Sequence, residues 1–218
     1  MSGKNGAMRT LVFVHGWGFD ANFWQPVAER LPEFARVFVD FGFRASPPHH
    51  PKVPGAIVVG HSMGFAWALA NLPRPWAGAV AVNAFARFTR APDFVSGVAP
   101  RMIERMSARF AEEPEAVTAD FLARCGVNTP DVSDIRADRL KDALAWLAAC
   151  DERAAMRALD CPMLALCGSR DAIVPESMSR EAFAEVPMVL AEGADHLLPQ
   201  NHPDWVASQI RLFAAGLR

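Results

Sequence analysis

Six short apolar runs punctuate the chain between turn residues: Leu11–Val14, Val37–Val39, Ala56–Val59, Ala79–Val82, Met163–Leu166 and Met188–Leu190. Each has strand length and none alternates apolar with polar positions, the pattern of strands covered on both faces. Stretches of helical periodicity separate most of them. Strands alternating with helices predict an α/β fold, with a mainly parallel sheet of about six strands, right-handed crossovers and helices on both faces.

Two intervals break this rhythm. In Phe41–Gly55, Pro47, Pro48, Pro51 and Pro54 leave almost no room for a helix, so a bare loop is expected. From about Ala84 to Asp160 three helices are expected and no strand, which reads as a helical lid insertion (84–160) in a core made of residues 1–83 and 161–218. In the first of these helices Met102, Ile103, Met106 and Phe110 share one face, with Arg101, Arg105 and Arg109 lined up beside it. A second, around Glu115–Cys125, turns Val117 and Phe121 inward and ends on Gly126. The third, near Ile135–Ala149, carries Leu140, Leu144 and Leu147.

Composition narrows the class without choosing a function. A chain of 218 residues with 51% apolar and 21% charged side chains suits one compact domain. A net charge of −2 provides no overall field for nucleic acid or an anionic membrane. The apolar run after Met8 is too short for a signal-peptide core, and nothing approaches a membrane span. Met8 also offers an alternative start behind a short extension. Cys125, Cys150, Cys161 and Cys167 form no C-x-x-C pair, so a reduced, cytoplasmic protein is expected, without metal or cofactor and monomeric.

The strongest local signal is Gly60-His61-Ser62-Met63-Gly64, immediately after one strand and before the helical run Phe65–Asn71. Strand, sharp turn and helix are what a nucleophile elbow needs, since the glycines relieve crowding around a serine held in a strained turn. Ser62 is the candidate nucleophile. A serine hydroxyl needs a base, and the base an acid to set its tautomer. Among the six histidines, His49 and His50 lie in the proline-rich loop, His61 adjoins the serine, His202 precedes the last helix as a turn residue, and His15 suits a structural role in its loop. His196 follows the last strand, at the carboxyl edge where active sites of open α/β sheets gather. Asp171 follows the fifth strand at the same edge; Asp195 and Asp160 are weaker alternatives. This reading requires His196 Nε2 within about 3.5 Å of Ser62 Oγ, or a small rotamer change away. For the oxyanion, one N–H donor is expected at Met63 and another in the loop His15-Gly16-Trp17-Gly18, at Trp17.

Taken together, the His-Gly-Trp-Gly loop, Asp40-Phe41-Gly42-Phe43, the serine elbow, the Gly168–Pro175 segment and Gly193-Ala194-Asp195-His196 resemble the α/β-hydrolase superfamily over nearly the whole chain. Its chain order of serine, acid and histidine is matched by Ser62, Asp171 and His196. Within it, His15–Trp24 is most similar to the pimeloyl-acyl-carrier-protein methyl ester esterases of biotin synthesis. That resemblance implies oxyanion and substrate contacts at Trp17 and Met63, a substrate contact at Phe121 in Phe121-Leu122-Ala123, and a carrier-binding role for Arg101, Arg105 and Arg109. For those arginines a solvated helix face stays open, because Glu112, Glu113, Glu115 and Asp120 follow closely.

Phe65 departs from the second glycine many relatives carry after the elbow, which either changes helix packing or narrows the pocket floor. The serine argues against dehalogenase and epoxide-hydrolase relatives, whose nucleophile is an aspartate. With only ten residues before the first strand, the antiparallel N-terminal strands of larger hydrolases are expected to be missing. The expected activity is that of a serine carboxylic ester hydrolase acting on a small acyl ester, carried on an acidic acyl-carrier protein, with no nucleic-acid or membrane partner. A general short-acyl carboxylesterase or thioesterase, a lyase or carbon–carbon bond hydrolase, and a catalytically inactive binding protein of the same fold are the alternatives.

Overall fold

The computed structural model describes residues 8–217; the expectation about the segment before Met8 lies outside them. Six strands, β1 (Thr10–Val14), β2 (Ala35–Val39), β3 (Ile57–His61), β4 (Gly78–Val82), β5 (Met163–Gly168) and β6 (Met188–Ala191), form one sheet in the order β2-β1-β3-β4-β5-β6. Every pairing is parallel. β3 and β4 are buried at all five positions, which accounts for their apolar sequence, broken only by His61 at the end of β3.

The helices are α1 (Gln25–Ala28), α2 (Met63–Asn71), α3 (Pro100–Glu112), α4 (Pro114–Cys125), α5 (Ala137–Ala149), α6 (Arg153–Arg157), α7 (Glu176–Ala182), α8 (Leu198–Asn201) and α9 (Pro203–Gly216). Strand order runs one way from β1 to β2 and the other way from β3 onward, so right-handed crossovers put α1 and α2 on opposite faces. α1 packs with α8 and α9, and α2 with α6. The direction reverses at β1, and the crevice beyond the carboxyl ends of β1 and β3 is where such sheets place their ligands. Residues 41–55 contain no helix, as their prolines require.

α3 to α6 all lie between β4 and β5. α4 stops because Gly126 takes a left-handed φ of 112°, and its N–H bonds the Ala123 carbonyl. The sequence suggested three helices here. The fourth, α6, is a short turn of five residues without a buried side chain, too brief to show periodicity. Met102 is also corrected: it is 48% exposed, while Ile103 and Phe110 are buried. Each of those two contributes about 1.5–3 kcal/mol through its burial.

The two neck segments of this insertion are tied together. Arg87 Nη1 lies 2.6 Å from Asp151, Arg153 Nη2 lies 2.7 Å from Asp151 and 3.1 Å from Asp93, and the Glu152 N–H donates to the Ala86 carbonyl. Arg153, and then Arg87, hold the Asp151 carboxyl well below the ordinary carboxylate range. Further contacts seat the helices on the sheet's loops: the Arg136 N–H donates to the Phe43 carbonyl at 2.8 Å, and Arg44 Nη1 pairs with Asp134 at 2.8 Å.

Candidate active site

Ser62 sits between β3 and α2 with φ 54° and ψ −129°, a strained conformation for a residue with a Cβ. The turn closes because its flanking glycines allow contacts no side chain could. A Cβ on Gly64 would lie 2.3 Å from the His15 carbonyl oxygen and 2.6 Å from that of Val14; one on Gly60 would lie 2.5 Å from Phe65 Cα. Those neighbours are backbone, which cannot swing aside. Gly64→Ala is therefore expected to cost about 1–3 kcal/mol by overpacking, lowering Tm by roughly 2–12 °C for a chain of this size. Thermal unfolding would show it, and an unchanged Tm would refute the close packing.

Asp171 and His196 converge from different loops. His196 Nδ1 donates to Asp171 Oδ2 at 2.7 Å, and Asp171 Oδ1 accepts the N–H groups of Ile173 and Val174 at 2.7 and 2.8 Å. Three donors thus fix the carboxylate, and with its proton on Nδ1 the imidazole keeps its lone pair on Nε2. Nε2 is buried and without a hydrogen-bond partner, so the Ser62–His196 hydrogen bond is not made in this conformation. Such bonds often tighten only around substrate. Ser62, Asp171 and His196 are all at most 5% exposed, so charges here act with little screening by water.

The loop after β1 rests directly on the serine: a Cβ on Gly16 would lie 3.1 Å from Ser62 Cβ. Next to it, the Trp17 N–H has no hydrogen-bond acceptor among the described residues, and Met63 is the first residue of α2, where the helix leaves its N–H without an intrahelical acceptor. The Trp17 indole is engaged elsewhere. Its Nε1 donates to the Leu140 carbonyl at 2.9 Å, and its ring meets Phe121 and Phe110 edge-on at 4.9 and 5.9 Å. The indole N–H is therefore not a donor to substrate; only the amide and the ring face are available.

Ser62, Met63 and Trp17 line a narrow cavity of about 20 Å³, closed down to the size of a water molecule in this conformation. Its other walls are Phe85 and Phe88 from the segment after β4, Met106 of α3, Phe121 of α4, Leu144 and Leu147 of α5, and Ile173 after β5. No charged side chain lines it. Walls of this composition favour hydrocarbon and disfavour a carboxylate, and an acyl chain enters only as the side chains around it move apart. Phe65 is not in this wall; it is fully buried against Phe183 at 6.0 Å, so the departure from glycine alters packing between α2 and α7. A larger groove beside Asp20, Arg44 and Asp134 contains none of these site residues.

Of the remaining histidines, His49 and His50 are exposed, and His202 precedes α9 without a capping side-chain hydrogen bond. His15 Nε2 accepts the Phe41 N–H at 3.2 Å, so its Nδ1 donates to the Gly16 carbonyl at 2.9 Å, tying the β1 and β2 loops together. Asp195 is spent locally, accepting the Leu197 N–H and the Asn201 amide. Asn83, overlooked in the sequence, and His61, set aside there as a residue packed or hydrogen-bonded beside the serine, belong to the site's frame. Asn83, directly after β4, has φ 45° and hydrogen-bonds to the His196 loop, and His61 donates from Nε2 to the His196 carbonyl. A polar residue at the carboxyl end of a wholly apolar strand was the available signal for Asn83.

Arg101 and Arg105 are exposed and make no ion pair among the described residues, but Arg109 is bound to Glu113 at 3.0 Å and Asp120 at 2.5 Å. The row of three arginines is thus reduced to two open cations beside exposed Met102. Burial raises the thiols of all four cysteines, leaving none as a ready thiolate nucleophile. Among the described residues no group of three His, Cys, Asp or Glu side chains is arranged to hold a metal, and no helix is long and apolar enough to cross a membrane.

Comparison with known proteins agrees with this architecture. The chain is 32% identical to the biotin biosynthesis bifunctional protein BioHC of Cellvibrio japonicus, aligned over 93% of this chain but only 47% of that protein, so it spans about half the length of this relative. It is 29% identical to a pimeloyl-(acyl-carrier protein) methyl ester esterase of Xanthomonas campestris pv. campestris, over 95% of both chains. An esterase from Exiguobacterium antarcticum superposes with a TM-score of 0.81 over 97% of this chain and 93% of its own, at 14% identity. A bromoperoxidase from Bacillus anthracis superposes at 0.79, over 96% and 93%, with 18% identity. At such identities these structures speak for the fold alone. Residues 11–209 match the alpha/beta hydrolase family, and the chain belongs to it.

Proposed function

We propose that the chain is a serine carboxylic ester hydrolase that removes the methyl group from a pimeloyl ester carried on acyl-carrier protein. The observation that carries this reading is the buried Asp171–His196 pair, with Nε2 left open, at the same sheet edge as strained Ser62 in an apolar chamber. Ser62 Oγ attacks the ester carbonyl as His196 Nε2 takes its proton, and Asp171 stabilises the imidazolium. The Trp17 and Met63 amides receive the oxyanion, aided by the positive end of α2. His196 then protonates methoxide, methanol leaves, and a water activated by the same nitrogen releases the free carboxylate from the acyl-enzyme. The chamber's lack of cations favours expulsion of that product.

The relatives' names support the choice of ester. The helices over the chamber act as a lid, and Arg101 and Arg105 present a small basic face to the acidic carrier. Expression in a bacterial host lacking its own pimeloyl ester esterase is expected to restore growth without biotin. Cleavage of p-nitrophenyl acetate without restored growth would instead favour a general short-acyl esterase.

A further inference from the structure

We propose that His61 and Asn83 are positioning residues for the base, holding His196 by its main-chain carbonyl while Asp171 holds it by Nδ1. The inference rests on the hydrolase reading above. Ser62, Asp171 and His196 sit on three separate loops, after β3, β5 and β6. The Asp171–His196 hydrogen bond joins two of them, but none joins Ser62 to His196, so something else must set the distance from serine to base.

His61 makes that connection. It is the last residue of β3, adjacent to Ser62, and its Nε2 donates to the His196 carbonyl at 2.9 Å. Its ring lies 4.6 Å from that of His196, centroid to centroid. The donor must be N–H, because a carbonyl can only accept, which assigns His61 the Nε2–H tautomer. Burial, and then the neighbouring His196, push the His61 imidazole well below its ordinary range, so it remains neutral and adds no charge opposing the imidazolium.

Asn83 supplies the second hold. Its Nδ2 donates to the carbonyls of Asp195 at 2.8 Å and His196 at 3.1 Å, while its Oδ1 accepts the Gly168 N–H at 2.8 Å. Gly168 ends β5, the strand whose following loop carries Asp171. One amide thus spans the loop of the acid and the loop of the base. The left-handed backbone of Asn83 costs free energy and persists because these three bonds determine it.

The test compares substitutions that separate hydrogen bonding from packing. His61→Phe keeps an aromatic ring without the donor; His61→Gln keeps an N–H near the position of Nε2. With p-nitrophenyl acetate, His61→Phe is expected to lower kcat by about 10- to 100-fold, as misplacement of a reacting group does. KM should change by less than about twofold, because neither residue lines the chamber. His61→Gln should regain most of the loss, whereas a packing role would favour Phe over Gln. Asn83→Gly, which relaxes the backbone while deleting the amide, should lower kcat similarly and serves if His61→Phe does not fold. Position can also be read without turnover, from the downfield proton resonance of His196 Nδ1–H: sharp in wild type and His61→Gln, broadened in His61→Phe and Asn83→Gly. Wild-type kcat and an unchanged resonance in either deletion variant would overturn the inference. A sharp wild-type resonance with no hydrolysis by wild-type protein would count against the hydrolase reading instead.

Discussion

Ser62→Ala is expected to lower ester turnover on the order of 10⁴-fold or more, the scale seen when a nucleophile that works as one unit with its base is removed. What remains would come from the oxyanion donors and the apolar chamber, which still bind the ester but offer it no covalent route. Stability should not follow activity down. Ser62 has φ 54°, and alanine meets the same steric cost there, so Ser62→Ala should melt near the wild-type temperature. Ser62→Gly should be equally inactive yet melt no lower than Ser62→Ala, because glycine releases strain of about 1–3 kcal/mol, partly offset by its extra freedom in the unfolded chain. Steady-state hydrolysis paired with thermal unfolding separates the two effects. Comparable turnover by Ser62→Ala and wild type would remove serine chemistry from this site.

Asp171→Asn is expected to lower kcat by roughly 10³- to 10⁴-fold with little change in KM. The amide oxygen can still accept from Ile173 and Val174, so the loop after β5 should keep its shape. At the other position an N–H replaces the oxygen that now receives His196 Nδ1–H. The imidazole then turns over to the tautomer with its proton on Nε2, where it can no longer take the proton of Ser62. A kcat within tenfold of wild type would show that Asp171 does not set the tautomer, and single-turnover kinetics on an activated ester would place the loss in acylation.

Fold and site were legible to different depths, for physical reasons. Strands covered on both faces need apolar side chains at every position, so β1, β3 and β4 show as continuous runs, and prolines at 47, 48, 51 and 54 rule out a helix by geometry alone. Ser62, Asp171 and His196 could be named because each lies in the loop after a strand and carries chemistry few residues can supply. Roles set by distant neighbours left no such trace. Nothing local reveals that the Trp17 indole is consumed by Leu140 or that Phe65 packs against Phe183 instead of the chamber. Asn83 and His61 act through a main-chain carbonyl more than a hundred residues away, and a backbone atom has no signature in the sequence. Met102 was misplaced because helical spacing gives a face but not what covers it, and there solvent does.

The central claim is that Ser62 is a nucleophile activated by His196, and covalent labelling tests it most directly. Folded wild-type protein would be treated with a fluorophosphonate, digested and analysed by mass spectrometry. The expected result is one adduct, on the peptide containing Ser62, absent from Ser62→Ala and strongly slowed in His196→Ala. Folded protein left unmodified, or an adduct on any other residue, would contradict it.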